Sequence, residues 1–150
     1  MCSEIMNVNG VRFFMPIFKN IIFRASEYCK NGKVDTFIRC TRNTQRLAAQ
    51  YGNIVIQFNM DGELESLRDK NSNVLIIIFS REEHMLEAER NICTIKYRTR
   101  ITLASLHFQR IPNQMLVELV FGQIFWLNNT PNRNGYHQPL FPALSRQGKR

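Results

Sequence analysis

Short apolar blocks separated by turn residues fill the first part of the chain, and helical spacing takes over afterwards. Glu4 opens an extended run that reaches Val8. Asn9-Gly10 is a two-residue turn of the kind that joins antiparallel strands, because both residue types tolerate positive φ. Val11 to Phe18 reads as a second strand, with Phe13, Phe14, Met15 and Ile17. Asn20 supplies another turn and Ile21-Ile22-Phe23 starts a third strand, and Asn31-Gly32 ends this meander. From Val34 to Tyr51 the apolar positions Phe37, Ile38, Cys40, Leu47, Ala48 and Tyr51 predict a helix, and Gly52 suits its C-terminus. Ile54 to Met60 predicts the fourth strand. Val74 to Phe79 predicts the fifth, a continuous apolar run expected to be covered on both faces.

Ser80 with Glu83 is a capping-box signal for a helix that runs to about Leu103. A last helix begins after Ile111-Pro112, where proline costs no hydrogen bond, and runs through Trp126. Phe121, Phe125 and Trp126 are expected in its core face. Three strands, a helix, a strand, a connection, a strand and two helices make an α/β order: a mixed sheet flanked by helices. Residues 1–128 read as one domain. Residues 129–150, rich in Asn, Pro and Gly and basic at the end, read as a loose C-terminal extension.

The 150-residue length allows a single domain with a real core, and the 44% hydrophobic share argues against wholesale disorder. A formal net charge of +8 points to a polyanionic partner. The charge is local: Arg90, Lys96, Arg98, Arg100 and Arg110 fall in one stretch without a single acid. No apolar run reaches the length of a membrane span, since Met115 to Leu127 is broken by Glu118, Gly122 and Gln123. No signal peptide is visible, so a nuclear or cytoplasmic protein is expected. The cysteines Cys2, Cys29, Cys40 and Cys93 and the histidines His84, His107 and His137 lack zinc spacing, and free thiols are expected.

Three acids frame the basic stretch. Glu4 lies at one strand, Asp61 at the end of another, and Glu89 on the helix just ahead of the positive charge. That is the layout of a two-metal phosphoryl-transfer site acting on nucleic acid, where carboxylates hold ions that neutralise the attacking and leaving oxygens. Each acid also has a plainer role. Asp61-Gly62 is a turn signal, Glu63 and Glu65 lie close enough to be mistaken for the ligand, and Glu89 alone would be a surface acid. Lys96, seven positions after Glu89, returns to the same helix face and suits a phosphate contact, whereas Arg90 and Arg98 lie on other faces.

Leu106-His107-Phe108-Gln109-Arg110-Ile111-Pro112, then Val117 to Phe121 and Phe125-Trp126-Leu127-Asn128, resembles the end of the integrase core of copia-type retrotransposons. Glu89-Arg90 with Asn91 and Thr94 resembles that family's Glu-Arg element, Met60-Asp61 its second acid, and Val8-Asn9-Gly10 its first hairpin. The resemblance extends from about Ser3 to Leu144 and is most specific over Glu87 to Asn128. It implies a ribonuclease H-like fold: a five-stranded mixed sheet with the first three strands antiparallel. It also implies DNA strand transfer and 3′-end processing with two Mg²⁺ (or Mn²⁺) ions held by Glu4, Asp61 and Glu89. DNA is the implied partner, contacted by Lys96, Arg90, Arg98 and Arg100, and a homo-oligomer and a polyprotein or virus-like-particle context are implied too.

The chain departs from the family in ways that predict impaired activity. Glu4 stands where the family has Asp, and its extra methylene moves the carboxylate outward by roughly 1.5 Å, comparable with the tolerance of such a site. The first strand lies close to Met1, so a truncated strand is expected. Met85-Leu86 replaces the family's glycine-like spacer. The alternative reading is a non-catalytic nucleic-acid-binding remnant that keeps the basic helix over residues 90–110.

Overall fold

In the computed structural model, residues 1–18, 23–70, 74–79, 86–108 and 110–130 are described. The strands are β1 (Cys2–Val8), β2 (Val11–Phe18), β3 (Phe23–Arg24), β4 (Glu27–Cys29), β5 (Gln57–Asp61) and β6 (Leu75–Phe79). The helices are α1 (Val34–Gln50), α2 (Leu86–Ser105) and α3 (Asn113–Asn129), with a 3₁₀ helix over Gly62–Lys70. Along the sheet β3, β2, β1, β5 and β6 follow one another, and β4 also pairs with β2. The pairs among β1 to β4 are antiparallel, and β1–β5 and β5–β6 are parallel. The fold is therefore the expected ribonuclease H-like α/β arrangement. The sixth strand arises because the third is interrupted at Ala25-Ser26 and continues as β4.

Local chemistry explains the elements. Asn9 (φ 47°) and Gly10 (φ 82°) form the left-handed pair that the β1–β2 hairpin needs. β1 pairs along its full length, from Cys2 against Ile17 to Val8 against Val11. Gly52 (φ 73°) closes α1, donating its N–H to the Ala49 carbonyl at 3.0 Å. On the sheet-facing side of α1, Thr41 and Thr44 are buried, and their hydroxyls donate to the Ile38 and Cys40 carbonyls at 2.8 and 2.9 Å. In the 3₁₀ helix the buried Leu64 and Leu67 are three positions apart, the spacing that puts two side chains on one 3₁₀ face.

Alternation along the strands divides the core in two. Phe14, Phe58, Met60 and Ile76 pack with Phe37 and Cys40 of α1 and with Leu64 and Leu67. Met6, Val8, Phe13 and Met15 pack with Ile92 and Ile95 of α2 and with Leu116, Val120 and Ile124 of α3. The sheet therefore lies between α1 on one face and α2 with α3 on the other.

Several sequence expectations need correction. β5 begins at Gln57 rather than Ile54, where its pairing with Leu75 of β6 starts, and Ile54 and Ile56 ahead of it are 87% and 77% exposed. β6 is not covered on both faces: Ile76 is buried, while Leu75 and Ile77 are exposed. Phe125 and Trp126 are surface residues, since α3 packs through the stripe Leu116, Val117, Val120 and Ile124, and the next two positions turn away from it. α2 ends at Ser105, so Arg110 is not on the basic helix. The Asn20 turn, Ile21-Ile22, the Ser80–Glu83 box, His84 and residues 131–150 lie outside the described residues.

Candidate active site

The even-numbered side chains of β1 face α2: Cys2 packs with Ile17 and Ala88, and Met6 with Ile92 and Ile95 in the wider cluster. Glu4 lies between them on that face. In β5, Phe58 and Met60 belong to the α1 core, so Asn59 and Asp61 take the opposite side. Asn59 Nδ2 lies 3.9 Å from Cys2 Sγ, which fixes this side as the one that carries Glu4. Parallel pairing of Ser3 with Met60 brings Glu4 and Asp61 to neighbouring positions at the C-terminal end of β5. Asp61 Oδ1 accepts the Gly62 N–H at 2.7 Å and so turns the chain into the 3₁₀ helix.

α2 supplies the third acid. Ala88, Ile92, Ile95 and Thr99 are its buried stripe, and Glu89, Cys93, Lys96 and Arg100 form the next stripe around the helix. With Ala88 anchored on Cys2, Glu89 falls beside the end of the sheet that carries Glu4.

Electrostatics links these groups. The Glu4 carboxyl is held above its ordinary range, first by burial, then by the negative charges of Glu89 and Asp61; Lys96 acts in the opposite direction, and Glu63 adds to the rise. Glu4 Oε2 is buried without a hydrogen-bond partner. Glu89, Asp61 and Lys96, all named from the sequence, therefore act on the Glu4 carboxyl. Glu63 joins them from the 3₁₀ helix. Its closeness to Asp61 in the chain was its only sequence signal.

The oxygen donors are chemically suited to Mg²⁺ or Mn²⁺, and an orphaned carboxylate oxygen is a ready acceptor for a cation. Their spacing does not form a cage: among the described residues, no group of three His, Cys, Asp or Glu side chains is gathered so that it could hold a metal ion. Of the basic residues, Arg90 and Arg100 are exposed. Arg98 is half-buried, and its Nη1 lies buried without a hydrogen-bond partner. Among the described residues, no helix is long and apolar enough to cross a membrane.

No protein-family model matches the chain, and no curated protein matches it. Among solved structures, the catalytic core domain of BIV integrase is similar, with a TM-score of 0.62 over 97% of this chain and 95% of that one. The two sequences are 10% identical, so the likeness is one of fold: this chain has the architecture of a retroviral integrase core.

Proposed function

We propose that the protein is an integrase core of the copia type, acting on DNA by metal-dependent strand transfer and 3′-end processing, with activity weakened at Glu4. The single observation behind this reading is the shared field at Glu4, where Glu89 and Asp61 raise the carboxyl and Lys96 opposes them. Glu89 and Asp61, distant in sequence, both act on Glu4 in an integrase-like fold, and Glu89 shares its α2 stripe with Lys96 and Arg100. In this reading Glu4, Asp61 and Glu89 hold Mg²⁺ or Mn²⁺, which when bound would neutralise charge on the phosphate oxygens. Lys96 and Arg100 contact DNA phosphates along the α2 stripe, and Arg90 adds charge beside it. A homo-oligomer and a nuclear or cytoplasmic polyprotein setting belong to the same reading.

The non-catalytic nucleic-acid-binding remnant is the second reading, favoured by the lack of a gathered three-ligand group among the described residues. A donor duplex incubated with protein and Mg²⁺ or Mn²⁺ separates the two. Metal-dependent nicking or joining that disappears in Glu89→Gln, and that rises in Glu4→Asp, is the result expected of the enzyme. DNA binding indifferent to metal and to Glu89→Gln, without any cleavage, would establish the remnant.

A further inference from the structure

Cys29 and Cys40 stand apart from the acidic site, on the other face of the sheet. Cys29 is the last residue of β4, an edge piece that among the described residues pairs with β2 alone. Cys40 lies on the buried side of α1. Their sulfurs are 3.8 Å apart, although the residues are 11 positions apart in the chain. Both belong to the core that includes Phe14 and Phe37. The other two cysteines differ: Cys2 is buried with Ile17 and Ala88, and Cys93 is exposed on α2.

We propose that Cys29 and Cys40 are a redox-active dithiol, which hydrogen peroxide oxidises to a disulfide tying α1 to the sheet edge at β4. This proposal is independent of the integrase reading. The sulfurs must approach from 3.8 Å to bonding distance, about 2.05 Å. The connection from Lys30 to Lys33 is exposed and contains the Asn31-Gly32 pair, so it can absorb the small shift of α1.

The environment assigns the two thiols different roles. The contact between the two sulfurs, in which either thiol can donate, holds Cys29 below the ordinary thiol range against the effect of burial, with help from the Phe14 backbone and Arg39. The same contact, followed by burial, pushes Cys40 up. Cys29 ends the three-residue strand β4 beside the exposed Lys30 and is the more easily uncovered of the two, so it takes the attacking role, and Cys40 on α1 resolves. The Cys29 sulfur attacks a peroxide oxygen: an S–O bond forms, the O–O bond breaks, and the leaving oxygen departs as water after protonation. The Cys40 sulfur then attacks the Cys29 sulfenic acid. An S–S bond forms, the S–O bond breaks, and the hydroxyl leaves as a second water with the Cys40 proton. The dithiol loses two electrons and the peroxide gains them.

Burial slows the first step but does not forbid it. Edge strands open locally more readily than central ones, and β4 is three residues long with exposed Lys30 next to Cys29.

Trypsin provides a direct test, because Arg24, Lys30, Arg39 and Arg42 place the two cysteines in separate peptides, 25–30 and 40–42. The Cys93→Ser protein, which lacks the exposed thiol, is treated with hydrogen peroxide and digested without reductant. The expected product is those two peptides joined, two hydrogens lighter than their sum, and separated again by dithiothreitol. The oxidised protein should melt about 5–10 °C higher than the reduced one, the scale expected for closing a short loop in a domain of this size. In Cys40→Ser the reaction should stop at a sulfenic acid on Cys29, trapped by dimedone. The proposal fails if both residues remain thiols under exposure that fully oxidises Cys93 in the unaltered protein, or if either pairs with Cys2 instead. The peptide map needs no substitution at Cys29 or Cys40, so it stands even if those variants do not fold.

Discussion

Glu4 combines burial with like charge, and both act against its ionised form. Its pKa in the folded state exceeds the unfolded value of 4.5, so the folded protein binds that proton more tightly. The stability this proton contributes is complete below the unfolded value and is lost as pH rises through the raised folded value. Glu4→Gln removes both costs, and without added metal it should melt a few degrees higher than the unaltered chain at neutral pH. The advantage should vanish in acid, and melting curves taken between about pH 4 and 8 will show it. An equal difference at every pH would mean that Glu4 carries no such strain. The three candidate acids stood out in the sequence because each follows or opens a patterned element. The contribution of Glu63 was not, because charge proximity across a turn depends on how the 3₁₀ helix folds back against β5.

Each helix reads best through the positions it buries. Ile95 is fully buried where α2 crosses β1 and β2, and Ile95→Ala should cost about 2–5 kcal/mol in chemical denaturation. Trp126→Ser should change stability by less than about 0.5 kcal/mol, because Trp126 is 60% exposed and meets Phe125 edge-on at the surface. Asn128, two residues further on, matters more. Its side chain accepts the Arg24 N–H at 3.1 Å and donates to the Arg24 carbonyl at 2.7 Å, so one amide acts as a strand partner for β3. Asn128→Asp removes the donor and leaves two acceptors facing each other. A loss of about 1–3 kcal/mol is expected, measurable by the same denaturation. The periodicity of α1 and α3 and the Asn-Gly hairpin were visible in the chain. The surface position of Trp126 was not, because α3 is apolar nearly all round and only its neighbours select the stripe that is covered. The pairing of Asn128 with Arg24 spans 104 positions, and no local pattern encodes it.

At the scale of the whole molecule, the net charge of +8 is concentrated enough to test as a binding surface. If α2 contacts DNA, the logarithm of the binding constant should fall linearly with the logarithm of salt concentration, and Lys96→Ala and Arg100→Ala should each lower the slope by about one. Binding insensitive to salt would exclude a phosphate-contacting face. The sequence alone determined the order of elements, the hairpin, and the acids and bases available for chemistry. These depend on periodicity, turn residues and composition, which act over a few neighbouring positions. Only the tertiary structure decided that the third strand breaks in two, that β6 is exposed on one face, and that Cys29 meets Cys40. It also decided that Glu4, Asp61, Glu89 and Lys96 share a field without the three acids closing into a cage. Those outcomes depend on strand register and on which helix stripe reaches the sheet, and both are set by packing between segments far apart along the chain.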